Sequence, residues 1–575
     1  MFILRDNLLE AVSKTTKVVF DGCKIVSIQN VRTGEEFLQA NLQEDVPGFE
    51  IEQISKVSYS IGTGKACTIH YRKFSDNIME IVVGDWEADV SVKVEIEEET
   101  GDILVEPSMY TIMNGITSLR MNIAGIRKDL KLIAPFQQGI CLNLDDDLLK
   151  DIHYEWPFHW EAGFVILQGR DSGFSVQVYD NLFKAKAIKL GFENNPYVIG
   201  FENCAYGPVD RNQAIGGLVW RIFAYEGDWI VPAEKYRNWM WKAYNLDYAI
   251  GRQPEWINDV KLAISWCPTD GEFLDALARK VNPHNVVLHL PDWRIYKYDQ
   301  DYPEYVPSEQ GKEFIKKARN MGYHVLPHCN AYQISPDHPL FFHSINFSAK
   351  NIYTKRLMGW GIILEGEKLT NIGPPQSYSS ILSNKDMNLL VNVHPGFTPW
   401  RRELTYQIAK VTHDLDLDGI FIDVTLVMYN ADNNIVENMT YVEGALRLIK
   451  EIGEIKPYFA VGGEGRNEIS TQYLSFAQFH LFKFAHGAAN HGESVDWLQR
   501  ATFPVNDFIF KGLARGLGYN YGLPHQKDNA RVMIEATQKL GAIPTLIVSR
   551  KLPSPAEAIN NPDENVKRIL ELALG

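Results

Sequence analysis

What the chain lacks narrows its function before anything it contains. No stretch of its 575 residues approaches the run of about 20 apolar residues that a membrane helix needs. The opening MFILRDNLLEAVSK carries Arg5 and Asp6 where a secretory signal holds its apolar core, so no signal peptide is expected. The six cysteines (Cys23, Cys67, Cys141, Cys204, Cys267, Cys329) are scattered, with no C-x-x-C. That argues against a disulfide frame or a structural zinc site and fits reduced thiols in a cytosol. On that reading the N-x-S/T triplets at Asn346 and Asn438 carry no glycan. No basic stripe with interleaved aromatics interrupts a net charge of −15, made of 57 basic and 72 acidic residues, which argues against nucleic acid. Internal repeats and low-complexity segments are absent too. Gly62-Thr63-Gly64-Lys65-Ala66 lacks the four-residue gap and the Ser/Thr of a phosphate loop and reads as a hairpin turn. The expectation is a cytoplasmic protein with no membrane or nucleic-acid partner and no cofactor.

What is present suits two substantial cores. Residues 1–235 read as a β-sandwich, because short alternating runs such as Met79–Val83 and Val90–Ile96 recur between turns such as Asp21-Gly22 and Thr100-Gly101-Asp102. Residues 236–255 form the junction. From 256 to 575 strands alternate with helices, the pattern of a parallel sheet. Eight strands are expected at Val260–Trp266, Asn285–Leu290, His324–Pro327, Leu389–Val393, Gly419–Asp423, Tyr458–Val461, Ala477–Phe482 and Pro544–Ser549. Eight strands in about 320 residues make a (β/α)8 TIM barrel, with an insertion at Ala331–Lys385 and a second covering segment at Phe503–Pro524. The chain ends on a helical stretch, Glu564–Leu574, so no domain is expected after the barrel.

Barrel enzymes place their chemistry where strands end. Gly419-Ile420-Phe421-Ile422-Asp423 runs four residues straight into a carboxylate, and the next strand ends in Gly462-Gly463-Glu464-Gly465. Neighbouring strands lie about 5 Å apart, so Asp423 and Glu464 can face one small ligand, with the glycines admitting it closely. The remaining strand ends supply Trp266, Asp292, Trp293, His328, Asn330, His394 and Arg466, with Glu468 on the helix beyond. Carboxylates, aromatics, His and Asn together suit a neutral, hydroxyl-rich ligand. Paired carboxylates suit glycoside hydrolysis, because one protonates the leaving oxygen while the other stabilises or attacks the anomeric carbon. Each residue also has a plain structural alternative: helix caps for the carboxylates, satisfied near-core histidines, core tryptophans, and an Arg466 that only holds a carboxylate in place.

The sandwich-then-barrel order, the GIFIDVT strand and the GGEG loop 41 residues later resemble a group of retaining α-glycosidases. These are the endo-α-N-acetylgalactosaminidases and intracellular bacterial α-N-acetylgalactosaminidases of glycoside hydrolase families 101 and 129, with α-galactosidase barrels more distantly similar. The resemblance implies Asp423 as nucleophile and Glu464 as acid/base. It covers about residues 20–550 in architecture but only the two catalytic strands in motif, and, unlike in the group, no β-domain is expected after the barrel.

Two other classes fit some of the same residues. A metal-dependent hydrolase would gather His328, His394 and Asp423 around a divalent ion, although the first strand offers no His pair. A non-catalytic carbohydrate-binding protein would use the aromatics without needing opposed carboxylates. For the favoured class the covering segments predict a pocket and exo-action. Retention predicts carboxyls about 5–5.5 Å apart.

Overall fold

Alternation of apolar and polar residues builds the N-terminal unit, Met1–Tyr244, of a computed structural model. The structure describes residues 1–5, 7–62, 67–360, 390–428, 430–479, 498–518, 527–548 and 554–574. In Ile78–Gly84, Asp89–Ile96 and Ile103–Tyr110 every second residue is buried, so one face of each strand meets the core and the other faces out. These strands belong to one ten-stranded sheet; a second ten-stranded sheet carries Ile116–Ala124, buried along its whole length. Side chains of the two sheets meet: Trp220 packs against Phe201 with ring centroids 5.2 Å apart, and its indole N–H donates to Asn203 at 2.9 Å. Arg120 is tolerated in the middle of a buried strand because Glu50, Glu52 and Glu202 surround it at 2.9, 3.2 and 2.6 Å. The segment 236–255, expected as a junction, includes most of helix Ile230–Ala243 and all of helix Leu246–Gly251.

The second unit, Asn245–Gly575, holds an eight-stranded parallel sheet that is nearly closed. Its strands are β1 (Leu262–Ser265), β2 (Val286–Leu290), β3 (His324–Asn330), β4 (Gly419–Asp423), β5 (Ala460–Glu464), β6 (Phe476–Phe479), β7 (Arg515–Gly518) and β8 (Thr545–Ile547). Each pairs with the next, β1 also pairs with β8, and the parallel bridge Leu517–Ile543 joins β7 to the approach of β8. Helices start where local chemistry says they should. Asp270 caps Gly271–Ala278, Ser308 caps Glu309–Asn320, and Thr440 with Glu443 forms a capping box on Tyr441–Gly453.

Two strand expectations are corrected. Leu390–Asn392 lies in a three-stranded antiparallel sheet with Gln333–Ile334 and Gly359–Trp360, inside the excursion between β3 and β4. An apolar run buried on both faces reads alike in any sheet, so Leu389–Val393 was indistinguishable from a barrel strand. The missing barrel strand is Arg515–Gly518, inside the stretch expected to be a lid; its two glycines and its arginine hide it. The lid's remainder at 519–524, the latter part of the insertion at 361–385, the turn at 63–66 and the strand tail at 480–482 lie outside the described residues.

Strand pleat then sorts the barrel lumen. Ala263, Val287, Leu326, Phe421, Ala460, Phe476 and Leu517 form one buried cluster, with Trp256 packed against it. Burying a side chain such as Leu326 or Phe421 stabilises by about 1.5–3 kcal/mol. Residues two positions further along point the same way: Ser265, His289, His328, Asp423 and Gln478. The lumen is therefore apolar below and polar above, at the C-terminal ends of the strands.

Candidate active site

Asp423 and Glu464 close β4 and β5, which pair directly. Both are largely buried, with side-chain exposure of 13% for Asp423 and residue exposure of 7% for Glu464. Burial comes first, then the charge of Glu464, then a hydrogen bond between the two carboxyls; together they push Asp423 well above the ordinary carboxylate range. The Tyr298 hydroxyl, 3.2 Å from Asp423 Oδ2, and the Val424 N–H act in the opposite direction. The pair thus holds a proton as a unit.

The backbone is shaped around this pair. Val424 sits at φ 67°, a left-handed conformation that a β-branched residue rarely adopts, and its N–H donates to Glu464 Oε2 at 2.8 Å. Thr425 stitches the same corner: its hydroxyl accepts the Glu464 N–H at 2.7 Å and donates to the Glu464 carbonyl at 2.9 Å. A Cβ on Gly463 would lie 2.6 Å from that hydroxyl, and one on Gly465 (φ 71°) would lie 2.5 Å from Leu426 Cβ. These two glycines let β5 and its loop close onto β4, which replaces the expectation that they admit the ligand.

The other sequence-derived residues divide sharply. Trp266 follows β1 at φ 56° and is half-buried, its ring 5.0 Å from that of Tyr298, so the two make an aromatic wall beside Asp423. His328 places Nε2 3.6 Å from Asp423 Oδ2. Trp293 is fully buried and donates its indole N–H to the His328 carbonyl at 2.9 Å, a scaffold contact rather than an exposed platform. Asn330 spends its amide locally, donating to Gln333 at 2.9 Å and accepting from the Tyr332 and Gln333 N–H groups at 3.1 and 3.0 Å. Asp292 is exposed. Arg466 is buried between Phe479 and Phe510, 4.8 and 6.0 Å from their centroids, and faces Asp507 at 3.5 Å. Glu468 is buried in the loop after β5, not on an outer helix.

His394 follows the antiparallel sheet of the excursion, not a barrel strand. Its Nδ1 accepts the Gly396 N–H at 2.9 Å, its Nε2 lies 3.0 Å from the Asn434 carbonyl, and burial lowers its pKa to about 4. Neither ring nitrogen has a lone pair left for a metal, so the trio His328, His394 and Asp423 does not form a ligand set. Among the described residues, no group of three or more His, Cys, Asp or Glu is placed to hold an ion.

Sequence reasoning missed the residues beneath the pair: Tyr298, His289, Ser265 and Gln478. The signal available for His289 is a single imidazole inside the apolar run Val-Val-Leu-His-Leu, two residues beyond the lumen-facing Val287.

With this geometry in hand, the chain can be set beside known proteins. A family model described as a domain of unknown function (DUF6259) matches residues 218–435. No curated protein matches by sequence. Among solved structures, ligand-free α-N-acetylgalactosaminidase NagBb from Bifidobacterium bifidum is similar over 100% of this chain and 92% of its own, with TM-score 0.65 at 11% identity. The same enzyme with GalNAc bound gives TM-score 0.63 at 11% identity and the same coverage. The GH36 α-galactosidase AgaB from Geobacillus stearothermophilus gives 0.47 at 8% identity, over 100% of this chain and 86% of its own. At such identities the likeness to NagBb is one of fold, and it extends over the whole chain.

Proposed function

We propose that the chain is an exo-acting, retaining α-glycosidase of the α-N-acetylgalactosaminide or α-galactoside class, acting on small glycosides in the cytoplasm. The observation that carries this reading is the hydrogen-bonded carboxyl pair of Asp423 and Glu464 at the ends of adjacent barrel strands. The Trp266–Tyr298 wall supplies an apolar face for a sugar ring, and the whole-chain fold likeness to an α-N-acetylgalactosaminidase supports the sugar class. The N-terminal unit, whose two sheets meet through Trp220 and Phe201, is read as a β-sandwich.

As substrate binds, the shared proton passes to Glu464, because the Tyr298 hydroxyl and the Val424 N–H favour the ionised form of Asp423. A sugar entering the site separates the carboxyls toward the roughly 5–5.5 Å of a retaining pair. Asp423 attacks the anomeric carbon while Glu464 protonates the departing glycosidic oxygen, breaking the C–O bond and leaving a glycosyl ester on Asp423. Glu464, now ionised, takes a proton from water; the resulting hydroxide equivalent displaces Asp423 and frees the sugar with its configuration retained. The test is a panel of 4-nitrophenyl α-glycosides followed by proton NMR. Hydrolysis of the α-galactoside or α-N-acetylgalactosaminide with the α-anomer appearing first is expected. The β-anomer first, or release of internal oligosaccharides from a polymer, overturns the reading.

A further inference from the structure

Beneath the carboxyl pair a line of buried polar side chains crosses the barrel lumen. Gln478 on β6 donates its amide N–H to Ser265 Oγ at 2.7 Å; Ser265 Oγ lies 3.3 Å from His289 Nδ1; His289 Nε2 lies 3.0 Å from His328 Nδ1; and His328 Nε2 faces Asp423 Oδ2 at 3.6 Å. All are shut away from solvent, His289 at 3% exposure and His328 at 1%. The direction of this line is fixed by a group that can only donate. The Trp266 backbone N–H points at His289 Nδ1 at 3.5 Å, so that nitrogen is the acceptor and the ring proton sits on Nε2. Because the Gln478 amide donates to Ser265, the serine hydroxyl proton is free to turn to the same nitrogen. His289 Nε2–H must then donate to His328 Nδ1, which leaves the His328 proton on Nε2, aimed at Asp423.

We propose that His289 is a positioning residue that fixes the His328 tautomer, so that a neutral imidazole N–H is presented to the Asp423 carboxylate as it ionises for attack. This rests on the glycosidase reading above. At 3.6 Å the last contact is longer than a hydrogen bond; such contacts tighten in the substrate complex, here once the sugar draws Glu464 away. Without His289, the proton of His328 is free to move to Nδ1. Its Nε2 lone pair then opposes the carboxylate, which raises the Asp423 pKa. The groups facing Asp423 from the elements around it are Tyr298 and Tyr302 after β2, His328 on β3 and Glu464 on β5.

The test needs no substrate. The full chain, labelled with 15N-histidine and with carboxyl-13C aspartate, is followed by NMR across pH. Both imidazoles are expected to stay neutral with the proton on Nε2 between pH 6 and 8. In His289→Leu the Asp423 midpoint should rise by about one pH unit, and His289→Gln, which keeps an acceptor and a donor, should restore it. The acid limb of kcat/KM should move with the midpoint while KM changes little. An Nδ1–H tautomer at His328, or an Asp423 midpoint unmoved in His289→Leu, overturns the proposal whatever the turnover. If His289→Leu does not fold, the wild-type tautomers decide. A shifted midpoint in a protein that cleaves no glycoside leaves the positioning role standing and removes the glycosidase reading instead.

Discussion

Two layers of one barrel lumen, made by the same strands and only two residues apart, have opposite chemistry. The lower, around Val287, Leu326, Phe421 and Phe476, is apolar and close-packed. The upper, with Ser265, His289, His328 and Gln478 buried and Asp423 partly exposed at the top, is polar, and a line of donors and acceptors runs through it. Burying polar groups is tolerable only when they are paired. The upper layer satisfies that by spending its hydrogen bonds in one direction, toward a carboxylate. On the reading proposed above, the lower layer holds the fold and the upper one aims a reactive group, a division of labour that single substitutions can break.

The largest effect is expected from Asp423→Asn. Turnover should fall by at least about 10⁴-fold, while the melting temperature at neutral pH rises because a buried carboxyl whose ionisation is opposed gives way to a neutral amide; initial rates and calorimetry check both. The mirror experiment is Leu326→Asp in the lower layer, which should cost about 3–5 kcal/mol in denaturant titrations by burying an unpaired charge. Similar stability loss at both layers would erase the distinction. Next comes Glu464→Gln, which should slow cleavage of poor leaving groups by about 10²–10⁴-fold and spare nitrophenyl glycosides until deglycosylation limits the rate.

A pH series sharpens the same contrast. Because Asp423 is raised in the folded chain, the folded state binds more protons than the unfolded one above the ordinary carboxylate range. Stability contributed by this group is therefore present at low pH and falls as pH climbs from that range to the raised value, then levels. Melting curves of the wild type should show this decline, and those of Asp423→Asn should lack it. The smallest effect is at Val424. Replacing it with Gly removes left-handed strain of about 1 kcal/mol or slightly more, so the chain should gain stability measurable by chemical denaturation, while the retained N–H on Glu464 is held less rigidly and kcat declines modestly.

Much of this was legible beforehand, for identifiable reasons. Asp423 and Glu464 stood out because buried strands that run straight into carboxylates leave few other interpretations, and capping signals such as Thr440 with Glu443 marked helices well. What failed was reading the residues that follow each strand as the site. Trp293, past β2, and Asn330, the last residue of β3, are used by the structure as scaffold. Apart from the Trp266–Tyr298 wall, the residues lined up toward Asp423 lie within strands, in phase with the apolar lumen, and a lone His289 among valines and leucines reads as core. Arg515–Gly518 was missed because a strand closing a barrel needs room more than side chains; its Leu517 alone reaches the lumen cluster.

That closing strand leaves the barrel with a seam. Among the described residues, β7 meets the approach to β8 through the bridge Leu517–Ile543, the Ile543 N–H on the Gly516 carbonyl at 2.8 Å and the Gly518 N–H on Thr545 Oγ1 at 2.8 Å, whereas β4 and β5 share a four-residue register. Fluctuations that part neighbouring strands begin where the fewest cooperative bonds must break. In hydrogen exchange the amides of Gly518 and Ile543 should therefore take up deuterium before those of Phe421 and Ile422. The strands that end in Asp423 and Glu464 sit across the ring from the place where the ring first opens.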